Sequence, residues 1–383
     1  MHIVVLQRLA DIAPKQWNCL NTDGNPFLQH EFLNGLEKTQ CVVAENGWHP
    51  QHLALFEGET LLAAMPCYIK DHSYGEYIFD WAWVNAYHRH GIEYYPKLSN
   101  AVPFTPATGQ RILISDAAQQ HGLSDDRAFE LFITKIQEMS EEQGLSSFHS
   151  LFNTSRQAEQ FKSLGLLKRH STQFHWRNDN YQDFDDFLSR MSSKKRKNIK
   201  RERRRVAETG ITYRWLEGPL LTAQTAQTMY GFYSRTISYY GAKSYLNRDF
   251  FQHLVSDFSH QTLFLFAEFE GTTIAGGLYF KSDHTLYGRY WGALNNFHSV
   301  HFETCYYQAI EWCIKNKYRK FEAGAQGEHK LARGLEPCST YSSHWIAHPE
   351  FSDAIASFVE SEESHIEEYK RSLEHHSPFK SEC

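Results

Sequence analysis

No stretch of this sequence approaches the roughly 18 consecutive apolar residues of a membrane-spanning helix. The opening segment, Met1 to Arg8, holds an apolar run of only four residues, Ile3 to Leu6. That is too short for the core of a secretion signal. The seven cysteines (Cys19, Cys41, Cys67, Cys305, Cys313, Cys338, Cys383) are scattered, odd in number and form no C-x-x-C pair. Their pattern argues against a disulfide framework and a zinc ribbon, and fits reduced thiols. Charge of one sign is lacking as well. A net value of −6 over 383 residues sets up no global field to draw in nucleic acid or membrane. A cytoplasmic protein is expected, and this length suits two domains better than one core.

What the sequence does hold is a repeat. Phe56-Glu57-Gly58-Glu59-Thr60-Leu61 leads into Lys70-Asp71-His72-Ser73-Tyr74-Gly75-Glu76-Tyr77. In the second half, Phe269-Glu270-Gly271-Thr272-Thr273-Ile274 leads into Asp283-His284-Thr285-Leu286-Tyr287-Gly288-Arg289-Tyr290. Each copy reads as a strand, a glycine turn, a longer strand and a second turn into a third strand. Further on, Gly165 and His175-Trp176 are echoed at the same spacing by Gly334 and His344-Trp345. Between the echoes each copy carries an apolar stripe at helical spacing. In the first it is Phe129, Phe132, Ile133, Ile136 and Met139; in the second, Phe302, Cys305, Tyr306, Ala309, Ile310 and Cys313. Matches in the same order at both ends point to duplication, with modules over 1–177 and 178–383. The first copy has gained an insertion, Tyr94 to Gly109, whose prolines and aromatics predict an ordered loop.

The second module is expected to open with a basic helix over 184–208, starting from Phe184, Phe187, Leu188 and Met191. Nine of the twelve residues from Lys194 to Arg205 are basic. Such a helix must lie at the surface, and its self-repulsion favours a polyanionic partner. The alternative is a solvated helix paired with the chain's own carboxylates.

The stretches Leu286 to Ala293, Tyr307 to Trp312 and Tyr318 to Gly324 resemble the second module of Fem-type aminoacyltransferases. So does Lys195 to Lys200 just before a strand. Closer still is a FemAB-like branch labelled peptidoglycan biosynthesis or recognition. The likeness lies in Asn25 to His30, His72 to Tyr77, Tyr94 to Leu98, Pro103 to Pro106 and Gly324 to Lys330. The resemblance implies an α/β protein of two tandem GNAT-like acyl-CoA N-acyltransferase folds with mixed sheets. It also implies transfer of an acyl or aminoacyl group to an amine of a peptide, amino sugar or cell-wall precursor. The donor would be acyl-CoA or aminoacyl-tRNA, with no tightly bound cofactor. A non-catalytic protein that recognises a nucleotide-sugar or peptidoglycan fragment, and an RNA-binding protein using the basic helix, are the competing readings.

In GNAT modules the donor pyrophosphate sits at the start of the helix after the fourth strand, where free N–H groups face the ligand. Here that place is Asn295 to His301, which lacks the family's usual glycines. Asn296, His298, Ser299 and His301 are its phosphate candidates, joined by Lys195, Arg196 and Lys200 of the basic helix. His298, His301 and Glu303 can be drawn as a metal trio, but two histidines three apart at a helix start are better read as anion-facing, and no metal is expected. N-acyl transfer needs a base and oxyanion stabilisation. Glu328 and His329, in the polar turn after a buried strand, are candidates for the base, with Lys330 and Arg333 for phosphate or carboxylate. Asp80, His88, Arg89, Tyr94, Lys97 and Arg289 lie in aromatic surroundings that suit an acceptor, or equally packing between modules.

Overall fold

The computed structural model describes residues 1–380 apart from Asn296, His298, Gln326 and His375. By compactness the chain forms two units. One comprises Met1–Thr172 with Ser339–Tyr369, the other Gln173–Cys338 with Lys370 onwards.

The first unit begins with β1 (His2–Leu6), α1 (Pro14–Asn18) and α2 (His30–Lys38). There follow β2 (Trp48–Pro50), β3 (His52–Glu57), β4 (Thr60–Met65) and β5 (Cys67–Lys70). After α3 (Trp81–Arg89) come β6 (Lys97–Asn100), β7 (Leu113–Ile114), α4 (Asp125–Gln143), β8 (Ser147–Asn153) and α5 (Ser155–Ser163). Pro66 separates β4 from β5. Lacking an N–H, it ends one ladder, so β4 pairs with β3 and β7 while β5 pairs with β2 and β6. The stripe on α4 forms as its spacing predicts: Phe129, Phe132, Ile133, Ile136 and Met139 pack against Leu53, Leu55, Leu98 and Phe148. Burial of each such side chain contributes about 1.5–3 kcal/mol.

The parallel pair β6·β8 runs in register from Leu98↔Phe148 to Asn100↔Ser150. The chain then makes a buried excursion and rejoins β8 at the parallel bridge Gly109↔Asn153. Arg111, fully buried, staples the excursion by donating to the carbonyls of Leu151, Ala107 and Gln110 at 2.5, 2.7 and 3.0 Å.

β9 (Leu167–Arg177) starts in the first unit and ends in the second, which continues with α6 (Phe184–Ser189), α7 (Ser193–Glu208), β10 (Thr212–Leu216), α8 (Ala223–Tyr239) and α9 (Arg248–Ser256). β11 (Thr262–Phe269), β12 (Thr272–Lys281) and β13 (Thr285–Ala293) form an antiparallel meander. Next comes one continuous helix, α10, built from Val300–Phe302, a π-helical segment Glu303–Tyr307 and Gln308–Lys315. β14 (Lys320–Glu322), a 3-10 turn at Glu328–Arg333, β15 (Glu336–Ile346) and α11 (Pro349–Glu374) complete the order. β14 is parallel to β13 and antiparallel to the end of β9 (Lys320↔Arg177 to Glu322↔His175). The end of β15 pairs with β8 (Tyr341↔Asn153 to Ile346↔Ser147). The closing strand of each sequence copy thus finishes in the other copy's sheet.

Two expectations change. The echo of His284–Tyr290 at His72–Tyr77 is not a third strand. Gly75 (φ 84°) and Tyr77 (φ 60°) break extended geometry there, and Ser73 and Glu76 turn onto Lys97. The parallel strand corresponding to β13 is β6, so the first copy's insertion begins at Asp71. The expected helix 184–208 is two helices, because Ser192 (φ −58°, ψ 147°) leaves helical geometry and its N–H bonds the Pro378 carbonyl.

Candidate functional site

In the second unit β13 and β14 pair in parallel only from Thr285↔Lys320 to Tyr287↔Glu322. Beyond Tyr287, β13 continues to Ala293 along β12, while β14 stops at Glu322. The sheet therefore opens at the carboxyl ends of a parallel pair, where α/β sheets bind ligands. Next in the chain after β13 comes the start of α10, and after β14 the turn Glu328–Arg333.

The turn and the helix bring several predicted residues together. His329 Nε2 lies 2.8 Å from the Tyr306 hydroxyl, and the His301, Phe302 and Tyr306 rings surround the His329 ring at 5.7–6.3 Å. A Cβ at Gly327 would sit 2.5 Å from the His329 ring, so glycine (φ 116°) is required there. Lys330 is 2% exposed and donates to the Gly324 carbonyl at 2.7 Å; among the described residues its ammonium has no carboxylate partner. The Arg333 guanidinium stacks 3.5 Å from the Phe302 ring centroid and donates to the His329 carbonyl at 2.7 Å. Burial lowers Lys330 to about 8 and His301 to about 4, and it lowers His329 as well, helped by the charges of Arg333 and Lys330. Neutral pH thus finds two neutral imidazoles beside a mostly charged, little-compensated ammonium.

Glu328 is exposed at the start of the turn. Ser299 caps α10 with φ 65°. Asn296 and His298 lie outside the described residues. Arg289 sits half-buried on β13 beyond the last parallel pair, and its charge is felt by both Glu322 and Lys330. Tyr306 was legible only as a member of the apolar stripe; its place in a π-helical segment, a feature frequent at functional sites, comes from the fold.

Helix α7 is two-faced. Ile199 and Val206 are buried, and Arg203 pairs with Glu303 and Glu311 at 3.1 and 2.6 Å. Lys200 bonds Asp185 at 2.7 Å. Lys194, Lys197, Arg201 and Arg205 are exposed, Lys195 and Arg196 half-buried, and none of these six has an ion pair among the described residues. The paired cations are therefore Arg203 on the inward side and the exposed Lys200 and Arg204, the last bonded to Glu208.

Three of the acceptor candidates meet in the first unit. Lys97, 1% exposed, donates to Asp80 at 2.6 Å, Glu76 at 2.8 Å and Ser73 at 2.8 Å. Tyr94 donates to Asp80 at 2.8 Å and lies 3.2 Å from His149 Nε2; His149 and His344 touch through Nδ1 at 2.6 Å. Burial opposes the charge of Lys97, but Asp80 and Glu76 outweigh it and hold its pKa up. Burial holds both histidines well below 6.5. His88 and Arg89 stand apart, exposed on α3. The loop 71–80 exposes Tyr74 and Phe79, and the start of α3 exposes Trp81, whose ring lies 5.5 Å from that of Tyr74.

The FemAB-like family model, described as peptidoglycan biosynthesis/recognition, matches residues 8–381. The chain belongs to the FemAB-like family. Its structure is similar to FemX (TM-score 0.54, 9% identity, covering 93% of this chain and 100% of that one). L-PGS from Bacillus licheniformis matches likewise (0.54, 10%, 91% and 97%), as does the C-terminal domain of a putative lysylphosphatidylglycerol synthetase from Agrobacterium fabrum (0.52, 8%, 89% and 94%). No curated protein matches the sequence. At these identities the likeness establishes the fold: two GNAT-like modules of mixed α/β structure. Among the described residues of this FemAB-like chain no three His, Cys, Asp or Glu side chains gather as a metal group, and no helix is long and apolar enough to cross a membrane.

Proposed function

We propose that this FemAB-like protein is an N-acyltransferase of the aminoacyl-transferring kind, with its reaction centre at the opened β13·β14 pair. The observation that carries the reading is the conjunction of His329, bonded to Tyr306, with a buried Lys330 that has no carboxylate partner among the described residues. The acceptor amine attacks the ester carbonyl of the donor, and neutral His329 removes the amine proton, directly or through the Tyr306 hydroxyl. Lys330 donates its free N–H groups to the tetrahedral oxyanion, in a site where burial strengthens the interaction. Collapse breaks the ester bond, and the imidazolium returns the proton to the departing hydroxyl. Glu328 and His329 are both exposed, and His329 is the favoured base because its Nε2 meets the Tyr306 hydroxyl.

The donor assigned is aminoacyl-tRNA. The six unpaired cations of α7 supply a phosphate-binding face, and the loop before α10 lacks the glycines of an acyl-CoA site. The acceptor is an amine on a cell-wall precursor, with Tyr74 and Trp81 offering ring faces for a sugar. The test is transfer of labelled amino acid from charged tRNA to such a precursor by the full chain, with labelled acetyl-CoA in parallel. Transfer from acetyl-CoA alone would replace the donor. Turnover of neither donor, with Lys330→Gln indistinguishable from wild type in cells, would remove catalysis in favour of recognition.

A further inference from the structure

Glu202 is the single carboxylate in the run Lys194–Arg205, and it does not serve that helix. Spacing places it with Ile199 and Val206 on the inward face of α7, where its side chain is 21% exposed. One carboxylate oxygen accepts from the Tyr307 hydroxyl. Both lie 3.3 Å from Arg333 Nη2. Arg333 is in turn fixed against Phe302 and bonded to the His329 carbonyl. Tyr307 directly follows Tyr306, whose hydroxyl meets the other end of His329. One carboxylate therefore grips the two backbone segments that carry the two halves of the His329–Tyr306 pair.

We infer that Glu202 is a positioning residue: by holding Arg333 and Tyr307 together it sets the His329 turn against Tyr306 and fixes one orientation and tautomer of the imidazole. It touches neither reacting partner. The inference rests on the proposed reaction only for its kinetic consequence; the geometry it assigns to His329 stands apart from any activity. Other charged and titratable groups facing the imidazole are His301, Lys330 and Arg333; of these, Arg333 spans the turn and α10 through Phe302, and it is itself held by Glu202.

The experiment uses the full chain with Glu202→Ala and Glu202→Gln. Imidazole 15N–1H spectra are expected to show His329 as a single tautomer in the wild type and as an averaged ring in Glu202→Ala. Glu202→Gln, which keeps an acceptor for Arg333, is expected to restore most of the single-tautomer pattern. In the transfer assay Glu202→Ala is expected to lower kcat between about ten- and a hundred-fold, with KM for the donor within about twofold. An unchanged His329 pattern in Glu202→Ala overturns the inference. If that variant does not fold, Tyr307→Phe, which removes one of the two partners of Glu202, is expected to average the ring in its place, and an unchanged pattern there overturns the inference equally. Should wild type transfer nothing while the pattern averages as described, the proposed reaction fails and the positioning role stands.

Discussion

Each copy of the module buries a lysine close to its parallel strand pair, and the two lysines have opposite surroundings. Lys97 meets two carboxylates, a serine and an adjoining tyrosine–histidine network. Lys330 meets one carbonyl. The strand pairs differ in the same sense. β6·β8 is resumed after its excursion and stapled by Arg111, whereas β13·β14 opens and stays open. Duplication has kept the fold twice and the opened strand pair once. A neutralised buried charge organises its surroundings; an incompletely compensated one is free to act on a ligand.

The most forceful way to break this contrast is to remove each lysine. Lys97→Met leaves Asp80 and Glu76 facing each other in a buried site and is expected to destabilise the protein by about 3–5 kcal/mol, read as a fall in the chemical-denaturation midpoint. Lys330→Gln is expected to leave that midpoint nearly unchanged and to lower kcat roughly 10²-fold or more. Equal stability losses in both variants would erase the distinction.

Acidity offers a second probe. His149 and His344 have folded pKa values well below 6.5. Their contribution to stability is therefore present above 6.5 and lost as pH falls below it, by up to about 1.4 kcal/mol per pH unit for each ring. Equilibrium unfolding between pH 7 and 5 should show this slope, and His344→Gln should flatten it. For the second unit the same arithmetic concerns rate. Activity should fall on the acid side as His329 protonates, below its ordinary value of 6.5, and on the alkaline side near 8 as Lys330 loses its proton. A rate profile flat across pH 8 would separate Lys330 from the reaction.

The smallest expected effect lies on α7. Replacing Lys194 or Arg201 by Ala should weaken binding to charged tRNA modestly and lower the slope of log affinity against log salt by about one per residue. Lys200→Ala, which also frees Asp185, should change the slope less. Salt titrations of tRNA binding check the difference.

Much of the fold was legible because periodicity is local. The α4 stripe and the β11–β12 and β3–β4 hairpins follow from spacing and turn residues alone. The turn holding His329, Lys330 and Arg333 was also visible, as polar residues after a buried strand flanked by glycines. The misread segment, His72–Tyr77, has the composition of its strand-forming echo; the fold instead turned its polar residues onto Lys97. Tyr306 was hidden within an apolar stripe and Glu202 within a basic run, since each takes its partner from a distant stretch of chain.

The sequence by itself determined the duplication, the hairpin and the stripe-bearing helix of each copy, the family, and the residue types gathered near each strand end. Tertiary structure decided which sheet each closing strand completes, which parallel strand pair stays open and which lysine is neutralised. The physical reason is that pairing edges, desolvation and counter-charges are supplied by segments far apart in the chain. A lysine's letter is the same whether two carboxylates or one carbonyl await it.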